Sequence, residues 1–159
     1  MKTFGIITNK DKDEDFIYTK KLIESIQGRG GKVKVSSDIA LKLGLNDDGF
    51  DEQDVINGSD IIICLGGDGT FLKVARKVYL KNIPMLGINL GSLGFLTEVD
   101  KNEIDAAVKH LIEGKYWIEE RMMLEVTIKS KGSIVATDIA LNDVVIARGS
   151  VSRILNIRT

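Results

Sequence analysis

The sequence predicts an α/β protein whose doubly wound, mostly parallel sheet is followed by the start of an all-β domain. Three observations support this prediction. Short apolar segments typical of strands alternate with segments of helical periodicity through the first part of the chain. One strand segment, residues 61–65, is apolar throughout, as expected where a parallel strand is covered on both faces. From residue 121 apolar and polar residues alternate, as expected for a strand with one solvent-exposed face.

The first predicted domain spans residues 1–118. The strand at 61–65 follows an Asn-Gly-Ser-Asp break and the strand at 85–89 follows Pro84, while the helices at 16–26 and 103–113 each present one apolar face. The stretch 38–54 mixes apolar and acidic residues and is predicted to be a connection with short helical pieces. The remaining elements are strands at 3–8, 32–36, 61–65 and 85–89, and helices at 16–26, 71–80 and 103–113.

The second predicted domain spans residues 119–159 and consists of strands. A hairpin turn is expected at residues 131–133. The predicted strands are 123–129, 134–141, 144–147 and 154–158. A β region with only four strands would leave exposed edges, which proteins normally pair or cover. We therefore expect part of the protein to be missing from this chain. Alternatively, the last strand pairs locally or with another subunit.

Composition and charge point to a small-molecule partner. The chain has 22 Lys and Arg against 23 Asp and Glu, a net charge of -1, so no strong field favours nucleic acid or an acidic membrane. No stretch reaches the roughly 20 apolar residues of a membrane span, and we expect a cytoplasmic protein without a membrane partner. The single cysteine, Cys64, lies in an apolar strand and excludes both a disulfide framework and a cysteine-based metal site. No metal-ligating residues are predicted.

Residues 66–70 (GGDGT) lie between the buried strand and the next helix. Glycines there let a ligand approach the backbone, and the helix N-terminus offers N–H groups with partial positive charge. We therefore predict a phosphate site. Its residues are Gly66, Gly67, Gly69 and Thr70, with Lys73 in the first turn of the helix as countercharge. The alternative is a plain turn in which Asp68 caps the helix.

Asp68 has two possible roles in such a site. A carboxylate repels phosphate, so Asp68 would hold a cation or accept a hydrogen bond from an acceptor hydroxyl. If Asp68 serves the activity of this site and not the fold, Asp68→Asn should abolish that activity and leave the thermal stability nearly unchanged. The segment contains neither the Gly-x-x-x-x-Gly-Lys-Ser/Thr of a Walker loop nor the Gly-x-Gly-x-x-Gly of a dehydrogenase.

A second glycine-rich loop, residues 87–97, leaves the carboxyl end of the next strand, where open α/β sheets bind ligands. Asn89 is predicted to offer donors and acceptors to the ligand. Phe95 is predicted to stack on an aromatic ring or to wall it off, whereas Leu93 and Leu96 are expected to fill the core.

Asn142 and Asp143 interrupt an otherwise apolar strand segment. Polar residues at such a position need partners, and this pair suits the two neighbouring hydroxyls of a ribose. A simple turn explains the pair equally well.

These three segments together resemble the NAD kinase family. The family's GGDGT motif matches residues 66–70, its Asn-x-Gly-x-Leu-Gly-Phe-Leu loop matches 89–96, and its Asn-Glu/Asp motif matches 142–143. The linking segment 120–124 is also similar. Lipid kinases share the GGDGT turn but continue with a Pro-Leu-Gly-Thr-Gly-Asn segment that this chain lacks.

The resemblance implies transfer of a phosphoryl group from ATP or polyphosphate to the 2′-hydroxyl of the adenosine ribose of NAD, giving NADP, with a divalent cation such as Mg²⁺. It places Asp68 next to that hydroxyl as the catalytic residue, and phosphates on Gly66, Gly67 and Gly69. It also implies that Asn142, Asp143 and Arg153 contact the dinucleotide, and that the protein forms a homodimer or homotetramer.

The family's later Thr-Ala-Tyr-Ser segment and larger β domain have no counterpart here, so the resemblance implies a C-terminally truncated chain. Activity of the 159 residues alone is therefore an open question. Two alternatives remain at this stage: a noncatalytic nucleotide-binding fragment, and a lipid or sugar kinase that shares the GGDGT turn.

Overall fold

The structure is a computed structural model, and it describes residues 1–45, 49–92 and 94–146. The chain divides into two compact units, Met1–Glu120 and Arg121–Thr159. The domain boundary that the sequence suggests after residue 118 stays a prediction. Within the described ranges, no helix combines the length and the apolar character needed to cross a membrane.

The described strands of the first unit form one parallel sheet of five strands. They are β1 (Thr3–Thr8), β2 (Lys32–Lys34), β3 (Ile61–Gly66), β4 (Met85–Asn89) and β5 (Val99–Asp100). Their spatial order is β2-β1-β3-β4-β5, so the direction of winding reverses between β1 and β3. The predicted doubly wound α/β sheet is confirmed. All six residues of the central strand β3 are buried, as its apolar sequence predicts.

Helices cover both faces of this sheet. They are α1 (Ile17–Gln27), α2 (Ser37–Leu43), α3 (Glu52–Asn57), α4 (Asp68–Val78) and α5 (Ile104–Glu113), with single 3₁₀ turns at Glu14–Phe16 and Lys101–Glu103. The short helices α2 and α3 are the helical pieces expected in the connection after β2.

Two apolar clusters hold the helices to the sheet, and β3 contributes alternate residues to each. Ile63 and Leu65 point into the first cluster with residues of α1 and α5, whereas Ile62 and Cys64 point into the second with residues of α3 and α4. Burial of each large aliphatic side chain contributes about 1.5–3 kcal/mol. Burial also raises the pKa of the Cys64 thiol far above its ordinary value, so Cys64 is a small hydrophobic core residue.

The helix after β3 begins earlier than its periodicity predicts. It spans Asp68–Val78 rather than 71–80, because the N–H groups of Thr70 and Phe71 already donate to the Gly67 carbonyl. Aspartate and glycine are weak helix formers, so the pattern does not reveal this first turn. Lys73 consequently lies in the second turn of α4 and not in the first. The two-residue strand β5 was also not predicted, since it is too short to show a pattern.

The second unit contains an antiparallel hairpin, β6 (Leu124–Ser130) and β7 (Ser133–Ala140). Lys131 and Gly132 turn the chain with φ of 50° and 82°, the left-handed pair that a two-residue hairpin turn requires. The strand predicted at 144–147 is wrong for residues 144–146, which pair with no described strand and so lack a hydrogen-bonded ladder. Ala147, Arg153 and the strand predicted at 154–158 lie outside the described residues.

Candidate functional site

The site lies at the carboxyl ends of β1, β3 and β4, where three loops meet. Residues 9–13 follow β1, the GGDGT segment follows β3, and residues 90–97 follow β4. β1 and β3 flank the point at which the winding reverses, the usual ligand position in open α/β sheets. The sequence pointed to the second and third loops, and the fold adds the first.

The carboxylate of Asp68 is bound by the loop that follows β4. Oδ2 accepts a hydrogen bond from the Phe95 N–H at 2.8 Å. Oδ1 accepts three: from the Leu96 N–H at 3.1 Å, the Thr97 N–H at 3.2 Å and the Thr97 hydroxyl at 3.1 Å. Each carboxylate oxygen has about two lone-pair sites. Among the described residues, Oδ2 is therefore the oxygen with acceptor capacity left for a ligand hydroxyl.

Gly94 allows this close approach of loop and carboxylate. A Cβ at residue 94 would overlap the Asp68 carboxylate, so only glycine fits there. Gly94 is not among the site residues predicted from the sequence. The glycine-rich character of the loop is the signal for it, but only the fold shows which group approaches.

Two opposing effects set the pKa of Asp68. Partial burial raises the pKa of this carboxyl, and the hydrogen bonds from Phe95, Leu96 and Thr97 lower it. The hydrogen bonds prevail, and the pKa lies below its ordinary value of 3.8. Asp68 is thus a charged acceptor at neutral pH and a weak proton acceptor.

Asn89 and Thr97 form the buried support of this loop. The side chain of Asn89, 1% exposed, donates from Nδ2 to Thr97 Oγ1 at 2.7 Å, and its Oδ1 accepts from the Gly91 N–H at 2.7 Å. Both ends of the Asn89 amide are therefore used inside the protein, and its contact with a ligand stays a prediction. Thr97 carries the hydrogen bonds on to Asp68, a role that nothing in its sequence context signals.

The GGDGT segment combines a packed side and an open side. A Cβ on Gly66 would overlap Thr70, whose hydroxyl accepts from Asn9 Nδ2 at 3.3 Å. A Cβ on Gly69, by contrast, would meet no atom within 4 Å. Lys73 is exposed and lies four residues after Gly69, on the same face of α4. The open space over Gly69 and the Lys73 ammonium therefore face the same side.

The other predicted residues occupy different surroundings. The side chain of Phe95 is 94% exposed while its backbone holds Asp68, so stacking of its ring on a ligand stays a prediction. Leu96 is half-buried, and Leu93 lies outside the described residues. Asn142 and Asp143 are exposed in the second unit, after β7.

The described residues contain no cluster of three or more metal-ligating side chains. Nowhere in residues 1–45, 49–92 and 94–146 do three His, Cys, Asp or Glu side chains cluster so that they could hold a metal ion. Asp68 directs its carboxylate to the loop amides instead. A cavity of about 200 Å³ lies beside β1, with Thr8, Lys10 and Asp38 in its wall, but it includes none of the predicted site residues.

Comparison with known proteins assigns the family. The family described as the ATP-NAD kinase N-terminal domain matches residues 4–116. The chain belongs to this family. It is 54% identical over 159 residues to the NAD kinase of Acetivibrio thermocellus, covering 100% of this chain and 55% of the relative. It is 46% identical over 162 residues to the NAD kinase of Ruminiclostridium cellulolyticum, with the same two shares.

Solved structures agree with this fold. Yeast NADH kinase complexed with NADH superposes with a TM-score of 0.73 at 23% identity, covering 89% of this chain and 47% of the yeast chain. An NAD kinase from Archaeoglobus fulgidus in complex with ATP gives a TM-score of 0.52 at 20% identity, covering 79% and 40%. This member of the ATP-NAD kinase family therefore spans about half the length of its relatives.

Proposed function

We propose that this chain takes part in NAD phosphorylation, the transfer of a phosphoryl group from ATP or polyphosphate to the 2′-hydroxyl of the adenosine ribose of NAD, giving NADP. The observation that supports this most is the Asp68 carboxylate, held at the winding reversal of an ATP-NAD kinase family domain with one oxygen open to a donor. The relatives named above are NAD kinases, and the solved neighbours carry NADH and ATP.

Asp68 acts in this proposal mainly by aiming the hydroxyl. The ribose 2′-hydroxyl donates to Asp68 Oδ2, which turns the hydroxyl oxygen toward the terminal phosphorus of the donor. A new O–P bond then forms, the bond from that phosphorus to the bridging oxygen breaks, and the hydroxyl proton leaves through Oδ2 to solvent. Since the lowered pKa makes Asp68 a weak base, and phosphoryl transfer is largely loose, orientation contributes more than proton abstraction.

The phosphates occupy the open side of the GGDGT segment in this proposal. Gly69 leaves the space, the N-terminus of α4 carries a partial positive charge, and the Lys73 ammonium adds a full one. Mg²⁺ binds the donor phosphates in this proposal and is part of the substrate, since proteins usually hold Mg²⁺ through substrate phosphates and only one or two carboxylates.

Contacts to the rest of the dinucleotide complete the proposal. We assign them to Asn89, Phe95, Asn142, Asp143 and Arg153, on the match of these positions to the family's motifs. The cytoplasmic location and the homo-oligomeric state are proposed on the same resemblance.

A hybrid enzyme provides the test. This chain would replace the matching 55% of the Acetivibrio thermocellus NAD kinase, and NADP formation from NAD and MgATP would be followed with an NADP-specific coupled assay. We expect turnover by the hybrid and a loss of about 100-fold or more in its Asp68→Asn variant. A folded hybrid that binds NAD and ATP without forming NADP would instead support a noncatalytic nucleotide-binding chain.

A further inference from the structure

Lys12, in the loop after β1, reaches the backbone of both glycine loops. Its ammonium Nζ lies 3.3 Å from the position that a Cβ on Gly67 would take, and 3.9 Å from the corresponding position on Gly91. The cation therefore lies between the loop that follows β3 and the loop that follows β4. Neither glycine places a side chain between the ammonium and the backbone.

Hydrogen bonds fix the backbone that carries Lys12. The N–H groups of Lys12 and Asp13 both donate to the Asn9 carbonyl at 3.1 Å, which forms a tight turn. The Asn9 N–H donates to the Leu65 carbonyl of β3 at 2.8 Å, and the Asn9 side chain donates to Thr70 of α4. The turn is thus attached to the same two elements that flank the GGDGT segment.

Asp13 anchors the other side of the turn. Its carboxylate is 1% exposed and accepts hydrogen bonds from the Tyr18 N–H at 2.9 Å and from the Thr19 N–H and hydroxyl at 2.9 and 2.6 Å. These contacts tie residue 13 to the first turns of α1. Lys12 itself is exposed.

Lys12 differs in its ion pairing from Lys10, the other lysine of this loop. Lys10 forms an ion pair with Asp38, beside the cavity near β1. Lys12 has no ion-pair partner among the described residues. It lies at the carboxyl ends of the strands, where the candidate site is. A lysine in this position is a point charge suited to phosphate oxygens, and the glycine backbone around it leaves room for them.

We propose that Lys12 binds the polyphosphate chain of the phosphoryl donor, whether ATP or polyphosphate. This inference rests on the proposed function, because it adds a residue to the same site. Lys12 lies on the β1 side of the GGDGT segment, and Lys73 extends from α4, so the donor phosphates have two cations from separate elements. Lys12 is a binding residue that positions the terminal phosphorus, and it exchanges no proton.

The first test measures binding to the 159-residue chain. Tripolyphosphate and ATP, each with Mg²⁺, are titrated calorimetrically into wild type, Lys12→Ala, Lys12→Arg and the control Lys10→Ala. Loss of one charge-assisted contact at an exposed site should weaken binding of both probes about tenfold in Lys12→Ala. Lys12→Arg should keep most of the affinity, and Lys10→Ala should match wild type.

The second test identifies the lysine directly. The chain is acetylated briefly with and without tripolyphosphate, and modification of each lysine is quantified by mass spectrometry. We expect protection of Lys12 and not of Lys10. Equal affinities in wild type and Lys12→Ala, no binding of tripolyphosphate at all, or unprotected Lys12 would each overturn the assignment.

The two proposals fail in different ways. NADP formation by the hybrid with Lys12 unprotected by tripolyphosphate overturns only the role of Lys12. Protection of Lys12 without NADP formation overturns only the proposed reaction and leaves a polyphosphate-binding lysine.

Discussion

Thr97 donates two hydrogen bonds to the same oxygen of Asp68, one from its backbone N–H at 3.2 Å and one from its hydroxyl at 3.1 Å. The loop after β4 is thereby tied to the first residue of α4. The Asp68 carboxylate and its support form one hydrogen-bonded network, so we expect substitutions at either end to affect both stability and the proposed reaction.

Asp68→Asn should therefore affect more than catalysis. The sequence alone suggested that stability would be nearly unchanged, but an amide cannot accept at both oxygen positions, and its NH₂ group would face an N–H donor. We expect a loss of about 1–2 kcal/mol in the free energy of unfolding, measured by urea denaturation of the 159-residue chain. NADP formation by the hybrid should fall by about 100-fold or more. Wild-type stability in Asp68→Asn would contradict the observed network.

Thr97→Val tests the support of Asp68. Valine keeps the shape but removes the hydroxyl, which leaves the buried Asn89 Nδ2 without its acceptor. The free energy of unfolding should fall by about 1–3 kcal/mol, and turnover of the hybrid should fall as the carboxylate loses its alignment. Thr97→Ser, which retains the hydroxyl, is the matched control and should keep most of both. A Thr97→Val variant as stable as Thr97→Ser would show that the Thr97 hydroxyl does not contribute to the free energy of unfolding.

Gly69→Ala separates function from folding. A methyl group at residue 69 meets no protein atom, so the fold should tolerate it and gain up to about 0.5 kcal/mol from lower chain entropy in the unfolded state. The same methyl group projects into the proposed phosphate space, so ATP binding should weaken. Calorimetry and thermal denaturation of one preparation measure both effects.

Gly66→Ala is the counterpart on the packed side of the same segment. Its Cβ would overlap Thr70, and the variant should lose about 1–3 kcal/mol of stability by overpacking.

For Gly69→Ala, ATP binding as tight as that of the wild type would show that the phosphates do not lie over residue 69.

Acid should destabilise the wild type more than Asp68→Asn. The pKa of Asp68 is lower in the folded chain than its ordinary value, so its ionised form stabilises the fold above about pH 4, and this contribution is lost as the pH falls through the folded pKa. Urea midpoints at about pH 6 and about pH 3 measure the difference. The remaining loss in the variant reflects other carboxylates with lowered pKa values, such as Asp105 beside Ser25. Equal acid losses in the two proteins would rule out a stabilising role of the Asp68 charge.

Local patterns predicted most of the sheet and its helices. The apolar run at 61–65 gave the central strand because burial on both faces leaves no room for polar side chains. The same reasoning failed at residues 144–146, where the sequence is equally strand-like but no described strand pairs with it. A strand depends on a hydrogen-bonding partner, which a single segment does not specify.

The sequence by itself determined the fold class, the order of the longer elements in the first unit and the two glycine loops, since these depend on the periodicity of apolar residues and on a few residue types at fixed spacing. Only the tertiary structure decided which groups meet: the loop amides on Asp68, Asn89 behind Thr97, and Lys12 over Gly67 and Gly91. These contacts join residues that are far apart in the chain and that the parallel strands bring to one edge of the sheet. Local sequence patterns do not specify such long-range contacts.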